Sequence, residues 1–180
     1  KDLWFRVTRR YTLEGVYEPL ARYRVYPGSM SSNAASMHTS RMEVLNKHFG
    51  PDEGDPAQWS PEKRLAYSRG YRGSAFEHLS QGASDVGWAL LLRGASISPD
   101  LLTAQETYYV MGCLGQPRGY RGEVSHLNIP AVEEEILNAL KVHVGAQENA
   151  LRTLHKPAMG SAHLAFAALA DRAGNWRLAR

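Results

Sequence analysis

The pentapeptide Arg-Gly-Tyr-Arg-Gly occurs twice in this chain of 180 residues, at Arg69–Gly73 and at Arg118–Gly122. Each copy places two guanidinium groups beside a tyrosine ring, and its glycines leave the backbone free to bend towards a ligand. Arginines that pair with phosphates and tyrosines that stack on bases are typical of nucleic-acid contact. We therefore predict two exposed loops that bind a polyanion. The residues assigned to this site are Arg69, Tyr71, Arg72, Arg118, Tyr120 and Arg121.

Basic and aromatic residues also alternate near the start of the chain. The members of these runs are Arg6, Arg9, Arg10 and Tyr11, followed by Arg22, Tyr23, Arg24 and Tyr26. The net charge is only +3 at a sequence pI of about 9.1, but arginine supplies most of the 21 basic residues. Arginine is preferred where planar contacts to phosphate or carboxylate are made. Two alternatives stay open: a genome composition rich in alanine, glycine and arginine, and solvated loop arginines beside half-buried tyrosines.

Most other chemistries lack a matching pattern. Cys113 is the single cysteine, which excludes an internal disulfide and a cysteine-based zinc site and favours a reducing, intracellular compartment. No two of the seven histidines have the i, i+4 spacing of a helix-borne zinc site, so we expect no metal. Glycine-rich phosphate loops and a serine nucleophile elbow are missing from the sequence, so we expect no cofactor. No apolar run is long enough to cross a bilayer, and we expect no membrane partner.

The first 28 residues differ in composition from the rest. Leu3–Thr8 and Tyr23–Tyr26 are rich in aromatic and β-branched residues, and Glu14-Gly15 lies between them as a turn signal. We predict a β element or arm over residues 1–28 and a helical domain over residues 29–180. Two strands alone are marginally stable, so this element must pack on helices or pair with another chain.

The remainder has helical patterns with recognisable start signals. A helix is predicted over Asn33–His48, and Ser60-Pro61-Glu62 begins a short helix that runs into the first pentapeptide. Ser74 with Glu77 three residues later is a capping box, which predicts a further helix over Ala75–Arg93. The predicted fold is therefore mainly α, an irregular domain of about six or seven helices with a short N-terminal β element. Two later helices are predicted to begin at Ser98-Pro99-Asp100 and at Pro130. Two more are predicted over Ala146–His155, which Pro157 ends, and over Ser161–Arg172.

These patterns favour a non-enzymatic structural subunit of a larger assembly. Its arginine-rich loops would contact nucleic acid or an acidic protein surface, as in a ribonucleoprotein or a viral coat, and we expect a homo- or hetero-oligomer. The alternative is an enzyme with a cleft between helices, in which histidine and arginine act on an anionic substrate. That alternative requires two or more histidines to converge with an arginine in one concave pocket.

Overall fold

The computed structural model describes residues 2–21, 32–116, 123–147 and 150–175, and within these ranges the fold is mainly helical, as predicted. Eight α-helices lie in the described ranges, slightly more than the predicted six or seven. Their bounds are α1 Asp2–Thr8, α2 Ala34–Phe49, α3 Pro61–Leu79, α4 Ser84–Ile97, α5 Asp100–Thr103, α6 Gln105–Gly112, α7 Ile129–Leu140 and α8 His155–Arg172. Short 3₁₀ turns lie at Pro56–Gln58, Val124–His126 and Ala150–Leu154, and α7 continues into a π turn at Lys141–Gly145.

The predicted N-terminal β element is wrong where it can be compared with the structure. Leu3–Thr8 belongs to α1, and the described ranges contain no strand; Tyr23–Tyr26 lies outside them. Strand preference largely reflects packing against a neighbouring strand, and α1 has helical neighbours instead. The Phe5 ring stacks on the His48 ring at 4.9 Å between centroids and meets Phe49 edge-on at 5.5 Å.

One carboxylate fastens α1 to the end of α2. The Asp2 carboxylate accepts hydrogen bonds from His48 Nε2 at 2.8 Å and from Lys47 Nζ at 3.0 Å, and Arg6 Nε lies 3.3 Å away. The hydrogen bond from His48, followed by that from Lys47, lowers the pKa of Asp2 from 3.8 to about 2. Asp2 therefore stays ionised to lower pH than an ordinary aspartate.

Local start signals predict several helix ends correctly. The Asn33 side chain accepts a hydrogen bond from Ser36 N at 2.9 Å, and Gly50 ends α2 at a φ of +76°. Ser60 caps α3 by accepting from Lys63 N at 3.2 Å. The last helix begins earlier than the sequence predicts: α8 starts at His155, and Pro157 lies in its first turn, where proline is tolerated.

The helices bury two groups of side chains. The larger group packs α4, α6, α7 and α8 together and includes Trp88, Tyr108, Leu140, Phe166 and Leu169. Cys113 is buried in the same group, where it packs as a small apolar side chain. The smaller group packs α2 against α3 and consists of Leu45, Tyr67, Tyr71 and Ile97. Within the described ranges, no helix is both long and apolar enough for a transmembrane span.

Candidate nucleic-acid interface

The first pentapeptide lies in the middle of α3, so the prediction of an exposed loop at Arg69–Gly73 is wrong. Its glycines allow α2 and α3 to approach closely. A Cβ atom on Gly70 would lie 2.6 Å from Leu45 Cδ1, and one on Gly73 would lie 3.4 Å from Arg41 Cζ. Neither glycine has a positive φ, so the role of both is to leave room for side chains of α2.

The three assigned residues of this copy have different surroundings. Tyr71 is 9% exposed, and its hydroxyl donates to Asp52 Oδ2, while Arg93 Nη2 donates to Asp52 Oδ1 at 2.7 Å. Burial, together with the neighbouring Asp52 carboxylate, raises the pKa of Tyr71 to about 12. Arg72 Nη1 lies 3.4 Å from Glu106 Oε2, and Arg69 is exposed.

The second copy, with its assigned residues Arg118, Tyr120 and Arg121, lies outside the described residues. Of the three assigned residues in the first copy, Arg69 is exposed, Arg72 is half-buried and Tyr71 is buried.

Exposed cations from α1, from the turn that follows it, and from α2 and α3 lie around α1, and we call this group the α1 cationic face. It consists of Arg6, Arg9, Arg10, Lys47 and Arg69. Arg6 and Lys47 both contact Asp2, and Arg9 Nη2 donates to the carbonyl of His48 at 3.3 Å. Arg69 joins the group through a pocket of about 230 Å³ that it lines together with Phe5. The sequence indicates the α1 arginines, but only the packing of α1 on α2 and α3 adds Lys47 and Arg69.

The same N-terminal segment carries apolar side chains that the body of the protein does not cover. None of residues 2–21 is buried, and residues 11–21 are all exposed and lack regular structure. The exposed large apolar residues of the segment are Leu3, Trp4, Tyr11, Leu13, Val16, Tyr17 and Leu20. These exposed apolar side chains are concentrated in one segment, which makes the segment a candidate for contact with another molecule.

A second pocket, of about 410 Å³, lies between α2 and α3 and contains His38 and the rings of Tyr67 and Tyr71. Three other histidines have separate surroundings. His48 contacts Asp2, His163 Nδ1 lies 2.8 Å from Glu133 Oε1, and the His143 ring stacks on Trp88 at 5.1 Å. Burial, followed by the charges of Arg41 and His78, lowers the pKa of His38, so these three side chains lie near one another. Among the described residues, however, His38 is the only histidine that lines this pocket. Those residues also contain no cluster of three or more histidine, cysteine, aspartate or glutamate side chains arranged to hold a metal ion.

Comparison with known proteins gives no match of any kind: no family model, no curated protein and no solved structure is significantly similar to the chain. The N-terminal segment and the pockets beside it are therefore the features that bear on function.

Proposed function

We propose that the protein is a non-enzymatic structural subunit of a larger assembly. Its N-terminal segment packs against a neighbouring subunit, and its α1 cationic face binds the backbone of nucleic acid. The observation that supports both parts is that residues 2–21 add no buried side chain to the core, although they carry exposed arginines and large apolar groups. Such a segment has more to contribute to intermolecular contacts than to the stability of its own chain.

The apolar part of the segment supports association. Leu13, Val16 and Leu20 are at least half exposed, and contact with a neighbour would remove their side chains from water. Burial of apolar area contributes about 25 cal/mol per Å², so several such side chains supply a useful part of an interface. Interfaces are also enriched in aromatic residues, which Trp4 and Tyr17 provide here.

The basic part of the segment supports contact with nucleic acid. Five cations surround α1, and the arginine guanidinium is suited to bidentate pairing with phosphate. Binding of cations to phosphates releases counterions, which makes the affinity fall steeply as salt is added. Trp4 and Tyr11, at the two ends of this group, have exposed rings on which bases can stack.

We expect the chain to bind single-stranded RNA with a slope of log K against log salt of about −3.5, since each of five phosphate contacts contributes about −0.7. The double variant Arg9→Gln/Arg10→Gln should reduce the slope by about 1.4 and weaken binding roughly tenfold at low salt. Fluorescence anisotropy at several salt concentrations measures both quantities.

The matched control is Arg152→Gln/Lys156→Gln, which removes two exposed cations from the start of α8 and the turn before it. Its slope should equal that of the unaltered chain. Equal effects of the two double variants would contradict the assignment to α1. If RNA does not bind even at low salt, nucleic acid is removed from the proposal and an acidic protein surface is the remaining partner.

We also expect the chain to associate reversibly, with a weight-average mass that rises with concentration in sedimentation equilibrium. The variant Leu13→Ser/Val16→Ser/Leu20→Ser should weaken association at least about tenfold, because it removes apolar area without touching the core. Val142→Ser/Leu164→Ser removes equally exposed apolar side chains from α8 and the turn after α7 and serves as the control. A monomer at all concentrations would refute the subunit proposal.

A further inference from the structure

Three nitrogen donors converge on one carboxylate where α1 packs against the end of α2. His48 Nε2 and Lys47 Nζ lie 2.8 and 3.0 Å from Asp2 Oδ1, and Arg6 Nε lies 3.3 Å from Asp2 Oδ2. An ionised carboxylate can only accept hydrogen bonds, so His48 Nε2 must carry a hydrogen. The three donors therefore form a site that already holds an anionic group, which the chain itself supplies.

A phosphate group offers the same kind of acceptor to these donors. Its charged oxygens accept hydrogen bonds from cationic side chains, as those of a carboxylate do. The Arg6 and Lys47 side chains are 63% and 62% exposed, so a ligand can reach them from solvent. The His48 side chain is only 4% exposed, and its Nε2 hydrogen is already bound to Asp2. A phosphate that uses all three donors therefore has to take the place of the Asp2 carboxylate.

The Asp2 carboxylate is a charged competitor at any ordinary pH. The hydrogen bond from His48, followed by that from Lys47, holds the pKa of Asp2 at about 2. Asp2 is also the only acidic residue among residues 2–13. It contacts Arg6 and Lys47, which are two of the five members of the α1 cationic face. The free protein therefore neutralises part of this face with its own side chain.

Other contacts keep the three donors together when the carboxylate leaves. Lys47 and His48 are neighbours in the last turn of α2. The Phe5 ring stacks on the His48 ring at 4.9 Å, which holds the adjacent Arg6 beside α2. Asp2 is the first residue of α1, and helix ends fray readily. The carboxylate can therefore move away while the contact between Phe5 and His48 remains.

We propose that Arg6, Lys47 and His48 form a phosphate site, which the Asp2 carboxylate occupies in the free protein and leaves when a phosphate binds. Asp2 is then an internal competitor, and its contact with the three donors is autoinhibitory. The phosphate group belongs either to a free phosphate or to the backbone of nucleic acid, and the second case rests on the function proposed above. A polyanion gains further contacts with Arg9 and Arg10, so it displaces Asp2 more easily than a single phosphate does.

Titration of the full chain with inorganic phosphate, followed by NMR, tests the site without nucleic acid. The variant Asp2→Ser removes the carboxylate and introduces a residue type that is favoured at helix starts. It should bind phosphate at least about threefold more tightly than the unaltered chain, because three contacts no longer have to be broken. Phosphate should shift the ring resonances of His48, whereas sodium chloride at the same ionic strength should not.

The matched control is Glu14→Ser, which removes the same charge from an exposed position of the same segment outside this cluster. Its affinity for phosphate should equal that of the unaltered chain. A nuclear Overhauser contact between the Phe5 and His48 rings reports whether α1 stays in place in Asp2→Ser. Unchanged or weaker phosphate binding by Asp2→Ser, an equal gain by Glu14→Ser, or loss of the Phe5 contact would each overturn the proposal.

Titration with single-stranded RNA separates this proposal from the function proposed above. Asp2→Ser should tighten RNA binding at least about threefold at low salt, and Glu14→Ser should not. If Asp2→Ser binds phosphate more tightly but RNA does not bind at all, the phosphate site is supported and the nucleic-acid function is refuted. If RNA binds and Asp2→Ser does not strengthen its binding, the function is supported and the internal competitor is refuted.

Discussion

Replacing Glu77 with alanine is expected to lower the free energy of unfolding by about 3 kcal/mol. The substitution removes both hydrogen bonds to Arg41 and leaves a guanidinium group, only 7% exposed, without its counter-ion. Breaking a buried ion pair by removing one partner typically costs about 3–5 kcal/mol. We expect the lower end because the Glu77 side chain is itself 24% exposed. Urea unfolding followed by circular dichroism measures the change.

The matched control is the exposed ion pair between Arg72 of α3 and Glu106 of α6. Glu106→Ala should change stability by less than about 1 kcal/mol, because the Glu106 side chain is 69% exposed. The double variant Arg41→Met/Glu77→Leu should recover most of the loss, since it leaves no unpaired charge. Equal losses for Glu77→Ala and Glu106→Ala would show that the Arg41 contact adds nothing to stability.

Alanine substitutions at two helical glycines are expected to have opposite effects on the stability of the protein. A Cβ atom on Gly87 of α4 would lie 2.6 Å from Leu79 Cγ and 3.2 Å from the carbonyl oxygen of Ala75, so α3 and α4 would have to move apart. Such overpacking costs typically 1–3 kcal/mol, and we expect Gly87→Ala to destabilise the protein by about 2 kcal/mol. A Cβ atom on Gly160 of α8 would have no atom within 4 Å apart from its chain neighbours and the backbone of its own helix. Gly160→Ala should therefore stabilise the protein by about 1 kcal/mol through helix propensity.

Thermal unfolding of the two variants side by side provides the measurement. Because the substitution is the same, the difference between them reports the space around each position rather than the chemistry of alanine. Stabilisation by Gly87→Ala would mean that α3 and α4 are less closely packed than the structure shows.

Sequence reasoning locates those helix ends whose signals are local. The Ser60 cap is readable because a cap involves a side chain and a backbone amide three residues away. Ser74 and Glu77 have the same spacing but lie inside α3, where Arg41 binds both. Arg41 precedes Ser74 by 33 residues, and nothing in the local pattern reveals that contact. The capping-box prediction at Ser74 is therefore wrong, and the break between helices falls later, at Gly82 with a φ of +78°.

The candidate site can also be predicted from the sequence only where its residues are close together in the chain. The α1 arginines are neighbours in sequence and can be recognised there, whereas their grouping with Lys47 and Arg69 depends on how α1 packs. The sequence assigns Tyr71 to base stacking on an open loop, but tertiary packing directs its hydroxyl to Asp52 and makes its ring a pocket wall. Whether the described part of the site binds nucleic acid stays a prediction, as does the role of Arg118, Tyr120 and Arg121.

The exposure of residues 11–21 has a consequence for how this protein can evolve. Substitutions there leave the core untouched, so they are not limited by the small stability margin that restricts changes elsewhere. The segment is free to diverge and acquire new binding partners while the helical body remains the same. Related chains should then share the buried residues of α4 and α8 and differ most in this stretch.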